Sequence, residues 1–152
     1  MTHSHSEHIG VLFRFRVARQ VPVVEHSEEL NVVWFLLLEK KKMVINSLVN
    51  DEIKVLHTPG HTKGSLCFLF GKYLFDGDTL FPGGPGYTSS PEHFEEIVDA
   101  ITRKLFALPD DTIVYPGHGS TTLIGKSKEE YKTFSELPHN SGLCGDVLWL
   151  KS

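Results

Sequence analysis

The chain contains a series of short apolar runs, and these runs predict strands. Short segments rich in β-branched and aromatic residues, bounded by Gly, Pro, Asn or Asp, are typical of strands. Such segments cover residues 21–24, 31–39, 43–49, 52–56, 65–70, 73–76 and 112–115. Gly71 and Lys72 separate two of them, which predicts a hairpin with a primed turn because glycine tolerates a positive φ at the first central position.

Two later segments carry the signals of a helix start. Residues 90–92 (Ser-Pro-Glu) supply an N-cap serine, a proline at the first helical position and an acidic first turn. The apolar stripe that follows consists of Phe94, Ile97, Val98, Ile101 and Leu105. Ser127 and Glu130 predict a capping box for a last helix over residues 128–137. A looser helical period predicts a further helix over residues 9–19.

The order of these elements predicts one mixed α/β layered domain. No repeat or low-complexity linker divides the 152 residues, so residues 1–152 are predicted to form a single domain. Residues 82–86, with the sequence Pro-Gly-Gly-Pro-Gly, are predicted to be irregular, because proline lacks a backbone N–H and glycine weakens regular structure.

Composition and charge narrow the classes of function. Lys and Arg number 15 and Asp and Glu number 19, for a formal net charge of −4. That balance gives no electrostatic reason to expect nucleic-acid binding. The longest apolar run, residues 32–38, is far too short to cross a bilayer. Two cysteines are too few for a disulfide scaffold, which favours a reducing cytoplasmic location.

Nine histidines are the unusual feature of the composition, and three of them, His3, His5 and His8, fall in the first eight residues together with one glutamate, Glu7. His3 and His5 are two residues apart, so in an extended segment their rings point to the same side and can reach one metal ion. Glu7 and His8 follow directly and can face a second ion. The alternative interpretation is a polar N-terminus with stray histidines.

Three further candidate ligands lie in turns that directly follow predicted strands. His61 is in Thr-Pro-Gly-His-Thr, Asp78 is in Asp-Gly-Asp-Thr, and His118 is in Pro-Gly-His-Gly. Each turn has an ordinary surface-turn interpretation as well. Taken together with the N-terminal residues, they amount to five imidazoles and two carboxylates, which is a donor set that zinc readily accepts.

These residues, in this order, resemble the signature of the metallo-β-lactamase superfamily. The matching segments are residues 3–8 (HSHSEH), 58–62 (TPGHT), 77–81 (GDTLF) and 116–119 (PGHG). The resemblance implies an α/β fold, a four-layer αββα sandwich of two sheets with helices outside. The ligands that it implies are His3, His5 and His61 for one ion, Glu7, His8 and His118 for the other, and Asp78 as the bridge between them.

The activity that the resemblance implies is metal-assisted hydrolysis with two Zn²⁺ ions per chain, with iron or manganese as alternatives. Two cations lower the pKa of a shared water toward neutrality, so that hydroxide attacks a small ester, thioester or amide substrate. Glu7 and Asp78 are the expected catalytic carboxylates, Glu7 by orienting the nucleophile or moving its proton. The sequences of residues 58–65 and 74–81 are most similar to those of glyoxalase-II-like hydrolases. The loop 81–87, next to Asp78, is expected to line the substrate pocket.

Two other functions stay open at this point. The same superfamily includes mononuclear iron oxygenases that act on thiol persulfides, and metal content distinguishes them from zinc hydrolases. The chain is alternatively a non-catalytic fragment with an impaired metal site. The expected partner is a small-molecule substrate, with no nucleic acid and no membrane, and a homo-oligomer is left open.

The chain departs from the family pattern at two places. The family has a block of strands before its first histidine pair, whereas His3 is the third residue here, so we expect a domain that is truncated at its N-terminus. Glu7 stands where the family usually has Asp. The extra methylene of Glu7 displaces its carboxylate from the position that an Asp carboxylate would occupy. Sites of this kind tolerate positional errors of only about 0.5 Å. We therefore expect the second ion to bind weakly or not at all.

Overall fold

The computed structural model describes Thr2, His3, His5, Lys42, Met43 and residues 53–150. The helix predicted over residues 9–19 and the strands predicted over 21–24 and 31–39 lie outside the described residues, as does most of the strand predicted over 43–49. In the part of the chain that is described, no helix has the length and hydropathy needed to span a bilayer.

Eight strands and two helices make up the described part. The strands are β1 (Lys42–Met43), β2 (Ile53–His57), β3 (Leu66–Phe70), β4 (Tyr73–Gly77), β5 (Leu80–Phe81), β6 (Gly84–Pro85), β7 (Ile113–Pro116) and β8 (Thr122–Leu123). The helices are α1 (Pro91–Ala100), which continues as a π-helical turn (Ile101–Leu105), and α2 (Ile124–Ser135). A mixed sheet with helices confirms the predicted α/β class.

Six of the strands form one sheet in the order β1-β2-β3-β4-β7-β8. All neighbours are antiparallel except β4 and β7, which are parallel. The predicted hairpin between β3 and β4 is confirmed, with Phe70 opposite Tyr73 and Gly71 at φ +56°. Because β3 runs opposite to β2 and β4, the carboxyl ends of β2, β4 and β7 meet at one edge of the sheet.

The prediction that residues 82–86 are irregular is wrong in part. Gly84 and Pro85 form β6, which pairs with β5 through Leu80 opposite Pro85 and Phe81 opposite Gly84. The ribbon is only two residues long, so proline can occupy a position from which no ladder N–H is required. The Gly-Pro run thus forms a small two-stranded ribbon next to the edge where the three strands end.

Helix α1 begins as predicted, whereas α2 does not. Ser90 precedes α1, and its side chain accepts a hydrogen bond from the backbone N–H of His93 at 3.3 Å. The predicted capping box is wrong, since α2 begins at Ile124 and Ser127 is buried inside the helix. The carboxylate of Glu130 instead accepts a hydrogen bond from the backbone N–H of Gly83 at 3.0 Å. The Glu130 carboxylate, which the sequence pattern assigned to a helix cap, therefore binds the backbone of the loop that contains Gly83.

The two faces of the six-stranded sheet differ. One face, with Leu74 and Val114, packs against the helices in a single apolar core. The residues that alternate with them are exposed aromatic and aliphatic side chains: Tyr73, Phe75, Tyr115 and Leu123. The rings of Phe75 and Tyr115 stack with centroids 5.4 Å apart. The period-two alternation of each strand thus places one row in the core and one row on the opposite face.

Gly60 lets the turn after β2 rest directly on α1. Its φ is +130°, and a Cβ at this position would lie 2.6 Å from the backbone nitrogen of Ile97 and 2.7 Å from the carbonyl oxygen of His93. Any side chain would both strain the backbone and collide with helical backbone atoms. The position of the next residue, His61, therefore depends on the absence of a side chain at Gly60.

We predict that Gly60→Ala lowers the free energy of unfolding by about 3 kcal/mol, from combined strain and overpacking. Gly71→Ala is the matched control. Gly71 has φ +56°, but a Cβ at this position would have no other atom within 4 Å. Gly71→Ala should therefore lower the free energy of unfolding only by the backbone strain, about 1 kcal/mol. Urea denaturation monitored by circular dichroism measures both values, and equal losses for the two variants would contradict the close packing on α1.

The two cysteines have opposite environments. Cys67 is fully buried in the core, whereas Cys144 is exposed, and both are free thiols. Burial is the main reason that the pKa of the Cys67 thiol is raised far above its ordinary value, with the Asp76 carboxylate adding to the effect. Because the thiolate is the reactive form, Cys67 is protected by both its pKa and its burial.

We predict that Ellman's reagent titrates one thiol per folded chain and two per chain in denaturant. Cys144→Ser is the control, and it should leave no reactive thiol in the folded protein. Rapid reaction of a thiol in folded Cys144→Ser would show that the core around Cys67 opens readily.

Candidate metal centre

Three imidazole rings meet at the edge of the sheet where β2 and β4 end. The rings of His3, His5 and His61 have centroids 4.7–4.8 Å apart and interplanar angles of 82–85°. One nitrogen from each ring lies within 4.8 Å of the other two, and His5 Nδ1 is 3.0 Å from His61 Nε2. Two nitrogens on one tetrahedral zinc ion are roughly 3.3 Å apart, given Zn–N bonds of about 2.0–2.1 Å. The three residues therefore fit a single ion of that kind.

The His61 ring is held in the orientation and tautomer that a metal ligand needs. Its Nδ1 lies 2.9 Å from the carbonyl oxygen of Tyr87. Because a carbonyl can only accept, Nδ1 carries the proton and the lone pair of Nε2 faces His5. The side chain of His61 is only 7% exposed, so few other orientations are available to it.

The segment that carries His3 is attached to the sheet. The backbone N–H of Leu66, the first residue of β3, donates to the carbonyl oxygen of Thr2 at 2.9 Å. Thr2 also packs on Gly77, where a Cβ would lie 2.6 Å from the threonine side chain. His3 is buried as a result. Thr2 and Gly77 together place the His3 ring beside the turn that follows β4.

Asp78 lies between this histidine cluster and His118. Its Oδ2 is 3.7 Å from His61 Nε2 and 3.7 Å from His118 Nε2. The Asp78 side chain is 8% exposed and that of His118 is 70% exposed. Both separations leave room for a cation that the two atoms share. Glu7 and His8, the other predicted ligands of the second ion, lie outside the described residues.

Asp76 supports the turn that presents Asp78. Its Oδ2 accepts a hydrogen bond from the backbone N–H of Leu80 at 2.8 Å, and Gly77 between the two acids has φ +57°. Burial raises the pKa of the Asp76 carboxyl well above its ordinary value, while the hydrogen bond from Leu80 opposes that rise. The sequence pattern gives Asp76 no role of its own, because only the folded turn shows that its carboxylate accepts the backbone N–H of Leu80.

Two buried threonines connect the turns that carry His61 and Asp78. Thr58 Oγ1 lies 3.2 Å from Thr79 Oγ1 and 3.1 Å from Cys67 Sγ. Thr58 and Thr79 are fully buried. Because a buried hydroxyl without a hydrogen bond costs free energy, the pair favours one spacing between the two turns. The sequence offered no signal for this contact other than the presence of threonine in both motifs.

A cavity of about 180 Å³ opens beside Asp78. Its walls are formed by His61, Asp78, Phe81, Gly84, Pro85, Gly86, Tyr87, His118, Asp146, Val147 and Leu148. The predicted lining loop, residues 81–87, supplies one wall. The other wall, residues 146–148, was not anticipated, because nothing in its composition indicates a binding site. The backbone N–H of Trp149 donates to the carbonyl oxygen of Gly83 at 2.8 Å, which joins the two walls.

Three other histidines among the described residues have partners away from this centre. His57 Nε2 lies 2.8 Å from the carbonyl oxygen of Lys63, and His93 Nδ1 lies 2.9 Å from Ser89 Oγ. His139 stacks on the ring of Phe134. None of the three lies in a segment that matches the family signature, so these positions can serve as controls for substitutions in the centre.

The chain is similar to proteins of one known family. The family model for the metallo-beta-lactamase superfamily matches residues 1–118. Hydroxyacylglutathione hydrolase GloC from Haemophilus influenzae is 31% identical over 150 residues, covering 84% of this chain and 71% of that protein. The chain spans about half the length of several other curated relatives that it matches.

Solved structures agree with the family match. The B3 metallo-beta-lactamase BLEG-1 has a TM-score of 0.73 and 29% identity, covering 84% of this chain and 72% of that one. The protein TTHA1623, solved in a di-iron-bound form, has a TM-score of 0.68 and 27% identity over the same shares. This likeness confirms the predicted fold type. The chain belongs to the metallo-beta-lactamase superfamily.

Proposed function

We propose that the chain is a dinuclear metallo-hydrolase, with zinc as the preferred metal, that cleaves small esters, thioesters or amides. The observation that carries the proposal is the meeting of three mutually perpendicular imidazoles with the Asp78 carboxylate, which faces His118 on its other side. Imidazole nitrogens and carboxylate oxygens are donors that zinc accepts readily. The relationship to hydroxyacylglutathione hydrolase GloC supports the hydrolytic class of reaction.

Each residue has a distinct part in this proposal. His3, His5 and His61 hold the first cation, and Asp78 contributes to both cation positions. His118 belongs to the second position, where Glu7 and His8 are the remaining ligands proposed from the sequence. Cations bound by these residues would supply Lewis acidity, which would lower the pKa of water toward neutrality and polarise a substrate carbonyl.

The protein's own groups prepare the site for that chemistry. The carbonyl oxygen of Tyr87 keeps the proton of His61 on Nδ1, so the lone pair of Nε2 is available to a metal ion. The Asp78 carboxylate is nearly buried, which strengthens its electrostatic interaction with a cation relative to the same group in water. The cavity walls orient the substrate carbonyl toward these groups and exclude bulk water from one side. Glu7 is proposed to orient the nucleophile or to move its proton.

A mononuclear iron oxygenase remains a second candidate because the three-imidazole cluster is sufficient to hold one ion by itself. Elemental analysis distinguishes the two candidates. One iron per chain, with oxygen consumption in the presence of a thiol persulfide, favours the oxygenase. Two metal ions per chain, with oxygen-independent turnover of a thioester, favour the hydrolase.

We predict that His61→Ala lowers zinc affinity at least 100-fold, because it removes one of three ligands from the first cation position. His118→Ala should retain one tightly bound zinc and weaken only the second. His139→Ala is the control, since its ring stacks on that of Phe134. Isothermal titration of metal-free protein with zinc measures these constants, and unchanged affinity in His61→Ala would exclude the three-imidazole site.

We predict that the zinc-loaded protein hydrolyses S-hexanoyl-N-acetylcysteamine, a neutral thioester, and that chelation by EDTA abolishes the activity until zinc is restored. Asp78→Asn should lower kcat/KM at least 100-fold, because the amide is a poorer ligand for both cations. His139→Ala should match the unsubstituted protein. Thiol release followed with Ellman's reagent measures the rate, after correction for the protein thiols. Turnover that persists in metal-free protein would exclude the proposed mechanism.

A further inference from the structure

We infer that the cavity beside the centre binds an uncharged, largely apolar acyl group, and that it discriminates against anionic substrates such as glutathione thioesters. The inference rests on the proposed function and names the substrate class for that site. It departs from what the names of the hydroxyacylglutathione hydrolases state for those relatives.

Two walls of the cavity are formed largely by apolar side chains. The loop wall contributes Phe81, Pro85 and Tyr87, and the opposite wall contributes Val147 and Leu148. A volume of about 180 Å³ is smaller than the roughly 300–1,000 Å³ of a pocket for a drug-sized ligand. These walls therefore suit a short aliphatic chain better than a large polar conjugate, since burying apolar surface is favourable and burying unpaired polar groups is not.

Apart from the residues assigned to the metal centre, the one charged side chain among the described residues that line the cavity has the wrong sign for an anionic substrate. Among the described residues that line it, none is Lys or Arg, whereas Asp146 lies at the rim as an exposed carboxylate. A carboxylate of a ligand that approached Asp146 would meet no lysine or arginine side chain among the described lining residues, and like charges at short range repel. A neutral ligand meets no such repulsion.

The walls are held in place, so the cavity cannot readily change to suit another ligand. A side chain at Gly84 would collide with the carbonyl oxygen of Val147, and one at Gly86 would collide with the carbonyl group of Asp78. The carboxylate of Glu130 accepts the backbone N–H of Gly83 at 3.0 Å. Backbone contacts of this kind make the shape largely preformed, which favours selection by complementarity.

The test compares two non-hydrolysable thioethers that share the same hexyl group. S-hexyl-N-acetylcysteamine is neutral, whereas S-hexylglutathione carries the anionic tripeptide. We expect the zinc-loaded protein to bind the neutral probe at least tenfold more tightly by isothermal titration. Asp146→Lys should reduce that preference at least fivefold. Asp111→Lys, an equal charge change at an exposed residue outside the cavity, should leave the preference unchanged.

Binding and turnover separate this inference from the proposed function. Equal or tighter binding of S-hexylglutathione, or no binding of the neutral probe, overturns the inference whether or not hydrolysis occurs. Neutral preference without hydrolysis of S-hexanoyl-N-acetylcysteamine supports the inference and counts against the proposed function. Equal kcat/KM for that thioester and for S-hexanoylglutathione supports the function and overturns the inference.

Discussion

The candidate metal centre depends on one buried contact, the pairing of Thr58 and Thr79 beneath the turns that present His61 and Asp78. The strands that lead into these turns, β2 and β4, are not neighbours in the sheet, because β3 lies between them. Cys67 of β3 fills the intervening space and contacts the Thr58 hydroxyl. Since each buried polar group in this cluster satisfies another, a change in the spacing of the turns would leave hydroxyls without partners.

Close backbone approach provides the second level of support. Gly60 rests on α1, and Gly77 rests against the segment that carries His3. Each contact is made at a distance that excludes a Cβ, since Gly60 meets backbone atoms of α1 and Gly77 meets the Thr2 side chain. A metal or catalytic site needs its groups held to within about 0.5 Å, and direct backbone packing is one way to achieve it.

Local sequence signals predicted the elements that are governed by local physics. The hairpin around Gly71 formed because glycine accepts positive φ, and α1 begins at Ser90 because its side chain accepts a first-turn N–H. The same reasoning was wrong at Glu130. A capping box forms only where a helix begins, and the predicted box required α2 to begin next to Ser127. Because Ile124 is buried in the core, the helix instead begins three residues earlier than Ser127. Apolar burial outweighs the modest energy of a cap.

The sequence by itself determined the family, the residue types available to bind metal and the strand ends on which they lie, because these follow from motif order and from turn chemistry. Only the tertiary structure decided that His3, His5 and His61 share one point, that Tyr87 sets the His61 tautomer and that Val147 faces Phe81 across a cavity. Those relationships join residues far apart in the chain. They arise from strand order and close packing, which no local pattern encodes.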